Sequence, residues 1–316
     1  MRGKSARGSA ASYVPLACIL TAAVLSSCVT VPPKTTGQWL GVLPPDSTIY
    51  ISIHVKPSAA VFKRAIEEAG PAYNDLATLF DMTERMYLAV TLVPGDFPQF
   101  FILALGNYPT LILNWRLQGN ADWKEMKSGQ GSFFQGVKND LQLAVPDGST
   151  LLVSNGHINR ILPRLSGSEE LPLPPDVAEE MTDSDLVVFL PQLPGEILQR
   201  AQGNINVPIQ QVWLDARKSQ EGYEVGGTAN VTTEREAKLV AVVMRLVLVA
   251  WLRSQQIPDV AERIGHISLA PEGNQVILTG LRFRDDEIVP VLISLIAGAA
   301  PAAPIPAMAP AEQAVQ

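Results

Sequence analysis

Apolar positions along the chain change period in a way that separates strands from helices. Runs in which apolar residues alternate or crowd together, Met86 to Val93, Gln99 to Leu105, Gln210 to Ala216 and Tyr223 to Val231, read as strands. Stretches with helical spacing lie between them, around Arg64-Ala65, from Pro109 to Leu117, and around Arg200-Ala201. The longest is KLVAVVMRLVLVAWLR, Lys238 to Arg253, with thirteen apolar residues interrupted only by Arg245. Thr233 to Glu236 fits an S/T-x-x-E capping box just ahead of it, so the pattern predicts a helix over 234–254.

The order of elements repeats. Asp46-Ser47-Thr48-Ile49 opens an apolar run closed by Pro57, and Asp183-Ser184-Asp185-Leu186 opens another closed by Pro194; each proline lies eleven residues after its aspartate. LAVPDGSTLLVSNG (143–156) matches SLAPEGNQVILTG (268–280), with Pro146-Asp147-Gly148 and Pro271-Glu272-Gly273 as turn signals between apolar runs. A β-α-β-β-α-β-β-α unit is therefore expected twice. Strands joined by hairpins and interleaved with helices imply an α+β fold, a mixed or antiparallel sheet packed with amphipathic helices. The expected organisation is a signal segment 1–27, a tether 28–42, a first repeat 43–165, a linker 166–182 rich in Ser, Pro and Glu, a second repeat 183–297, and an Ala/Pro-rich tail 298–316.

The long helical pattern admits three readings: a membrane span, a core helix, or a helix lying on a membrane. Its roughly 33 Å would cross a bilayer in length, yet a central arginine costs about 3 kcal/mol on insertion scales. A simple span is disfavoured. At 100° per residue, Arg235, Lys238, Arg245 and Arg253 fall in one sector of about 80°, and apolar residues fill the rest. A helix packed on the sheet with that stripe in solvent explains the pattern. So does a helix whose wide apolar arc, including Leu248 and interfacial Trp251, enters a leaflet while its cations meet phosphates. Ile288 to Ala297, IVPVLISLIA, begins after Asp285, Asp286 and Glu287 and has no polar face beyond Ser294; Leu292 and Ile296 are packed or in lipid.

The amino terminus changes the picture. Arg2, Lys4 and Arg7 precede an apolar stretch, Val14 to Leu25, too short to span stably, which reads as an export signal. Leu25-Ser26-Ser27-Cys28 then resembles the lipobox of bacterial lipoproteins, in which the cysteine receives diacylglycerol. Processing at Cys28 would leave 289 of the 316 residues and one lipidated cysteine, hence no internal disulfide. It would also remove three basic residues, leaving 21 Lys+Arg against 31 Asp+Glu and moving the net charge from −7 to −10. Such an acidic chain without basic clusters is a poor nucleic-acid binder. A composition of 47% hydrophobic and 17% charged residues requires a folded body. Val29 is not the aspartate that resembles an inner-membrane retention signal, which by analogy favours the outer membrane.

Candidate chemistry is sparse. His54, His157 and His266 stand apart, without metal-ligand spacing. No nucleophile elbow, phosphate loop or zinc-protease motif occurs, and Gly129-Gln130-Gly131 lacks the third glycine of a nucleotide fingerprint. Neither an enzyme nor a cofactor is expected. Tyr108, Trp115, Trp123, Phe133 and Phe134 cluster in sequence, as core or as a stacking surface for lipid or glycan.

The lipobox at Leu25 to Cys28, the repeated αβ body and the apolar amphipathic helices together resemble the concealed outer-membrane lipoproteins of treponemes. The resemblance implies an α/β/α fold whose amphipathic helices insert into the inner leaflet of the outer membrane and perturb it. The Ala/Pro tail has no counterpart in that resemblance. The leading expectation is a membrane-active structural lipoprotein anchored through Cys28, with membrane lipids as partners and Arg235, Lys238, Arg245, Leu248, Trp251, Arg253, Leu292 and Ile296 as contacts. The alternatives are a lipid or glycolipid carrier with an apolar cavity, and a non-catalytic scaffold or adhesin.

Overall fold

The computed structural model describes residues 36–69, 80–93, 97–129, 131–138, 140–156, 158–167, 171–192, 209–254 and 260–288. Twelve strands form one sheet in the order β11-β12-β10-β9-β8-β1-β2-β3-β7-β6-β5-β4, and every pairing in it is antiparallel. They are β1 Ile49–His54, β2 Thr83–Thr91, β3 Gln99–Gly106, β4 Trp123–Ser128, β5 Gly131–Gly136 and β6 Gln142–Asp147. The rest are β7 Thr150–Ser154, β8 Leu186–Leu190, β9 Ile209–Ser219, β10 Gly222–Val231, β11 Ser268–Glu272 and β12 Gln275–Phe283. Helices are α1 Thr36–Leu40, α2 Val55–Ala69, α3 Thr110–Gln118, α4 Ile158–Ile161, α5 Pro175–Asp183, α6 Glu234–Ser254 and α7 Val260–His266. The described residues from Gly37 onward form one compact unit.

Strand order reads alike from both sides of the β1/β8 pair: β2, β3, β7, β6 on one side and β9, β10, β12, β11 on the other. Both predicted turns are two-residue hairpin loops, with Asp147 paired to Thr150 and Glu272 to Gln275. In the first, Asp147 Oδ1 accepts the Ser149 amide at 2.8 Å; in the second, Gly273 takes φ 60°. A bulge in β12 lies where Val225 pairs Leu281 but Gly227 pairs Leu278. Gly280 fills it with φ 78°, and a Cβ there would lie 2.1 Å from the His266 carbonyl oxygen.

Alternation along the strands sends side chains to two cores, because helices cover both faces. On one face Tyr50, Tyr87, Leu103, Leu152, Val187 and Phe189 meet α1, α4, a 3₁₀ turn at Leu162–Leu165, and Val177 and Met181 of α5. On the other, Ile53, Phe62 of α2, Leu252 of α6, Ile267, Leu281 and Phe283 form a second core. Next to it Ala104, Tyr108, Val145 and Leu151 receive Leu113 of α3; Met86 packs against both groups.

Three expectations differ from this architecture. The first half carries an additional β4/β5 hairpin; its charged, exposed residues Lys124, Glu125 and Lys127 concealed the strand pattern. The 166–182 segment is not all linker. Pro174 and Pro175 start α5, since proline is tolerated at a first helical position, and Val177 and Met181 then anchor it. The end of the 28–42 tether is core, with Leu40 and Val42 fully buried. The Arg200-Ala201 pattern, residues 193–208, the 298–316 tail and Cys28 lie outside the described residues.

Candidate membrane-contact surface

Helix α6 begins as the capping pattern predicts: Thr233 Oγ1 accepts the Glu236 amide at 3.3 Å, and the Ala237 amide reaches the Thr233 carbonyl at 3.0 Å. Its twenty-one residues contain no proline or glycine. The inward side is set by Ala237, Val240 and Ala241, which pack on Ala229, Val231 and Val276, and by Leu252 farther along. Small residues at 237 and 241 let the helix approach the sheet closely.

The outward side mixes cations with exposed apolar residues. Arg235, Lys238, Arg245 and Arg253 are all exposed. Within about 40° of Arg235 and Arg253 around the helix axis, Leu239, Val242 and Leu246 are 53%, 59% and 66% exposed, with Val247 and Ala250 also in solvent. Lys238 pairs with Glu234 at 2.7 Å, an exposed i,i+4 contact that holds its ammonium along the helix. Among the described residues, Arg235, Arg245 and Arg253 have no carboxylate partner. An arc that apolar residues fill most of the way round is wider than the sheet covers, so an apolar strip stays in solvent.

Leu248 and Trp251 do not share that surface. Both are half-buried against the second core, and the Trp251 ring meets Phe283 edge-on with centroids 6.0 Å apart. They face the sheet because they lie on the side of the helix that carries Leu252. Leu239, Val242 and Leu246 stand where the sequence alone placed Leu248 and Trp251. Leu292 and Ile296 lie outside the described residues, which end at Ile288. The start of that segment is held firmly. Glu287 is buried and accepts Arg263 Nη1 and Nη2 at 2.8 and 2.6 Å, and its Oε2 takes the Arg284 amide at 2.8 Å. That acid serves a buried ion pair as well as the helix end.

The aromatic cluster separates. Tyr108, Phe133 and Phe134 are buried, Phe133 and Phe134 on opposite faces of β5, and the Tyr108 hydroxyl lies 2.9 Å from Thr83 Oγ1. Trp123 is half-buried, and Trp115 stands 75% exposed on α3. No common stacking platform forms.

Among the described residues, two hollows are lined by a mixture of charged and apolar side chains. One of about 710 Å³ lies on the sheet face opposite α6, walled by Glu180, Asp183, Asp215, Arg217, Glu224 and Arg282. Burial, then the neighbouring Glu180 charge, raises the Asp215 pKa, while Arg217 opposes both. The other, about 670 Å³, lies beside α7 and is lined by Glu262, Arg263, His266 and Arg284. Among the described residues no three His, Cys, Asp or Glu side chains come together as a metal site, and no helix is long and apolar enough to cross a membrane.

Three crystal structures of TP0453 share the fold. Crystal form III has a TM-score of 0.59 at 16% identity, covering 81% of this chain and 97% of that one. Form IV has 0.58 at 18% identity, covering 81% and 96%. Form I has 0.56 at 16%, also covering 81% and 96%. No curated protein matches. A family model, outer membrane-associated lipoprotein TP0453, matches residues 34–286, and the chain belongs to that family of outer membrane-associated lipoproteins.

Proposed function

We propose that this lipoprotein is a non-catalytic membrane-active protein, anchored through acyl chains on Cys28, whose α6 lies in the bilayer interface at the periplasmic face. The observation that carries this reading is the mixed outer side of α6, with Leu239, Val242 and Leu246 exposed among Arg235, Arg245 and Arg253. Moving those apolar side chains from water into the acyl boundary contributes on the order of 4 kcal/mol. Each arginine near an anionic surface adds about 1 kcal/mol. These terms are too small to replace a lipid anchor but large enough to fix how the tethered body lies. Insertion of a helix on one leaflet then alters lipid packing and permeability. The parallel strand orders about β1/β8 accord with a duplicated ancestor, which belongs to the same reading.

A carrier would hold its lipid in an apolar cavity, whereas the hollows here set Glu180, Asp215 and Arg217, or Glu262 and Arg263, among their apolar walls. The test is flotation and dye leakage of the full chain, with Cys28 changed to Ser, on anionic and neutral liposomes beside Arg245→Glu and Leu246→Glu. Binding and leakage that weaken in both variants support the reading. No flotation on either lipid would confine membrane contact to Cys28 and end it.

A further inference from the structure

Among the described residues, strand β4 is one end of the sheet, and its outer rim is open. The Gly136 amide donates to the Leu141 carbonyl at 2.8 Å, toward β6, so in the Trp123–Gly136 pair the main-chain groups point away from each other. By alternation Glu125 and Lys127 likewise turn their amides and carbonyls outward from β5. The Trp123 amide is taken by the Asn120 carbonyl at 3.1 Å. Helix α3 packs on β4 and β6, which sets it back from the rim. At the other end of the sheet Pro271 removes a donor from β11, whereas WKEMKS, the sequence of β4, has no proline.

We infer that this edge pairs antiparallel with β4 of a second copy of the chain, about a dyad at Met126. In that register Glu125 faces Lys127 of the second copy and Lys127 faces its Glu125, each couple exchanging main-chain hydrogen bonds. Met126 meets its own counterpart, and Lys124 lies opposite Ser128. Lysine on an edge strand ordinarily discourages pairing. Here it selects the register. Sliding the copies to the next alignment that keeps outward groups opposite places Glu125 against Glu125, or in the other direction Lys127 against Lys127, and like charges directly opposite repel. Both side chains are exposed on one face of β4, where Gln118 Nε2 holds the Glu125 carboxylate at 3.3 Å.

A dyad of this kind stands perpendicular to the sheet, so both copies present α6 on the same side. The pairing is therefore compatible with contact to one leaflet and does not depend on it. A six-residue edge covers less than the roughly 800 Å² that one partner gives a standard interface, so the couple is weak in dilute solution and is best trapped covalently.

The experiment uses the full chain with Cys18→Ser and Cys28→Ser. Met126→Cys then sets two thiols across the dyad at a non-hydrogen-bonded pair, where Cα atoms lie about 4.5 Å apart, within disulfide reach. Oxidation with copper phenanthroline should give a disulfide-linked dimer on a non-reducing gel. Met126 packs against the first core, so Lys124 and Ser128, outside that cluster, supply a second trap. Chains with Lys124→Cys should couple to chains with Ser128→Cys, and Lys124→Cys alone should stay monomeric. Glu125→Lys or Lys127→Glu, added to Met126→Cys, should each abolish the dimer. Mixing these two variants should restore it, because one copy then carries only lysine at the two positions and the other only glutamate. A dimer that survives equally in both charge variants overturns the charge-set register, as does coupling of Lys124→Cys to itself. No disulfide in either trap overturns the edge pairing altogether.

Discussion

Ile51 and Val188 face each other across the β1/β8 pair, and each stands five residues after the aspartate that opens its half of the chain, Asp46 or Asp183. Positions that correspond in the two halves of the sequence therefore meet across this antiparallel pair. Around that point Tyr50 pairs Phe189 and Ser52 pairs Val187, so each partner's match appears on the other strand. Twelve strands consequently form one continuous sheet, with no edge between the halves.

Tyr50 and Phe189 hold that junction. Their rings stack with centroids 6.2 Å apart, both almost wholly buried, and the Tyr50 hydroxyl donates to the carbonyl region of Pro44 and Pro45 at 2.7 Å. Phe189→Ala should destabilise the protein by about 3–5 kcal/mol, because the cavity opens between two β-strands that cannot close on it. Phe189→Leu should cost well under half as much. Urea denaturation checks this; an alanine variant with an unchanged midpoint would mean the β1/β8 junction carries little of the fold.

Sequence order carried much of this architecture. The strands, both hairpin turns, the α6 cap and its length were legible because each depends on local chemistry: aspartate and glycine in turns, Thr233 before the helix, unbroken apolar spacing to Trp251. The direction each face of α6 points was not. A basic stripe says only that one side is wet, and whether the sheet covers Leu248 or Leu246 depends on strands forty or more residues away or on β10–β12 packing. The β4/β5 hairpin was hidden for a related reason. At the end of the sheet, where Lys124 and Glu125 are exposed on opposite faces of β4, charged residues replace the alternation that marks interior strands. The exposed apolar side of α3 leaves a trace in the sequence: TLILNWRLQ has too many apolar residues for so short a helix to bury.

The pair between Arg263 and Glu287 ties α7 to the end of the described chain. Glu287 is nearly inaccessible, and Arg263 also donates to the Arg282 carbonyl at 2.8 Å. Arg263→Met should cost about 1–3 kcal/mol, since it leaves the buried carboxylate with only the Arg284 guanidinium at 3.2 Å and the Arg284 amide, and Glu287→Gln should cost less because the amide still accepts. Arg263→Met with Glu287→Leu should recover most of the loss. Thermal unfolding of all three separates these outcomes, and additive losses in the double variant would show that the two side chains act independently.

Acid sensitivity has opposite signs at two sites. Burial, then the Arg85 charge, lowers the His54 pKa below its ordinary 6.5, with Asp185 opposing. The fold therefore favours neutral His54: its contribution is complete above about 6.5 and is lost as pH falls through the lowered value. Asp215 is raised, so its carboxylate penalises the fold above that raised value and the penalty disappears as pH falls through it. His54→Gln should flatten the decline in Tm between pH 7 and pH 5. Asp215→Asn should raise Tm at pH 7, with the gain vanishing in acid. Tm measured across this range tests both, and a gain for Asp215→Asn that persists unchanged at pH 3 would place its origin in packing rather than charge.

Salt should separate the cationic and apolar contributions of α6. Attraction between Arg235, Arg245, Arg253 and anionic headgroups is screened over a Debye length of about 8 Å near 0.15 M and about 3 Å near 1 M, whereas transfer of Leu239, Val242 and Leu246 is not weakened by salt. Binding of the unlipidated chain to anionic vesicles should thus fall with added NaCl to a floor equal to its binding on neutral vesicles. Arg245→Glu should start near that floor and respond weakly to salt. Leu246→Glu should lower the floor itself while keeping the salt response. Flotation across a NaCl series reads both quantities from one curve. Salt-independent binding by the native chain would remove the arginines from the contact, and an unchanged floor in Leu246→Glu would remove the apolar strip.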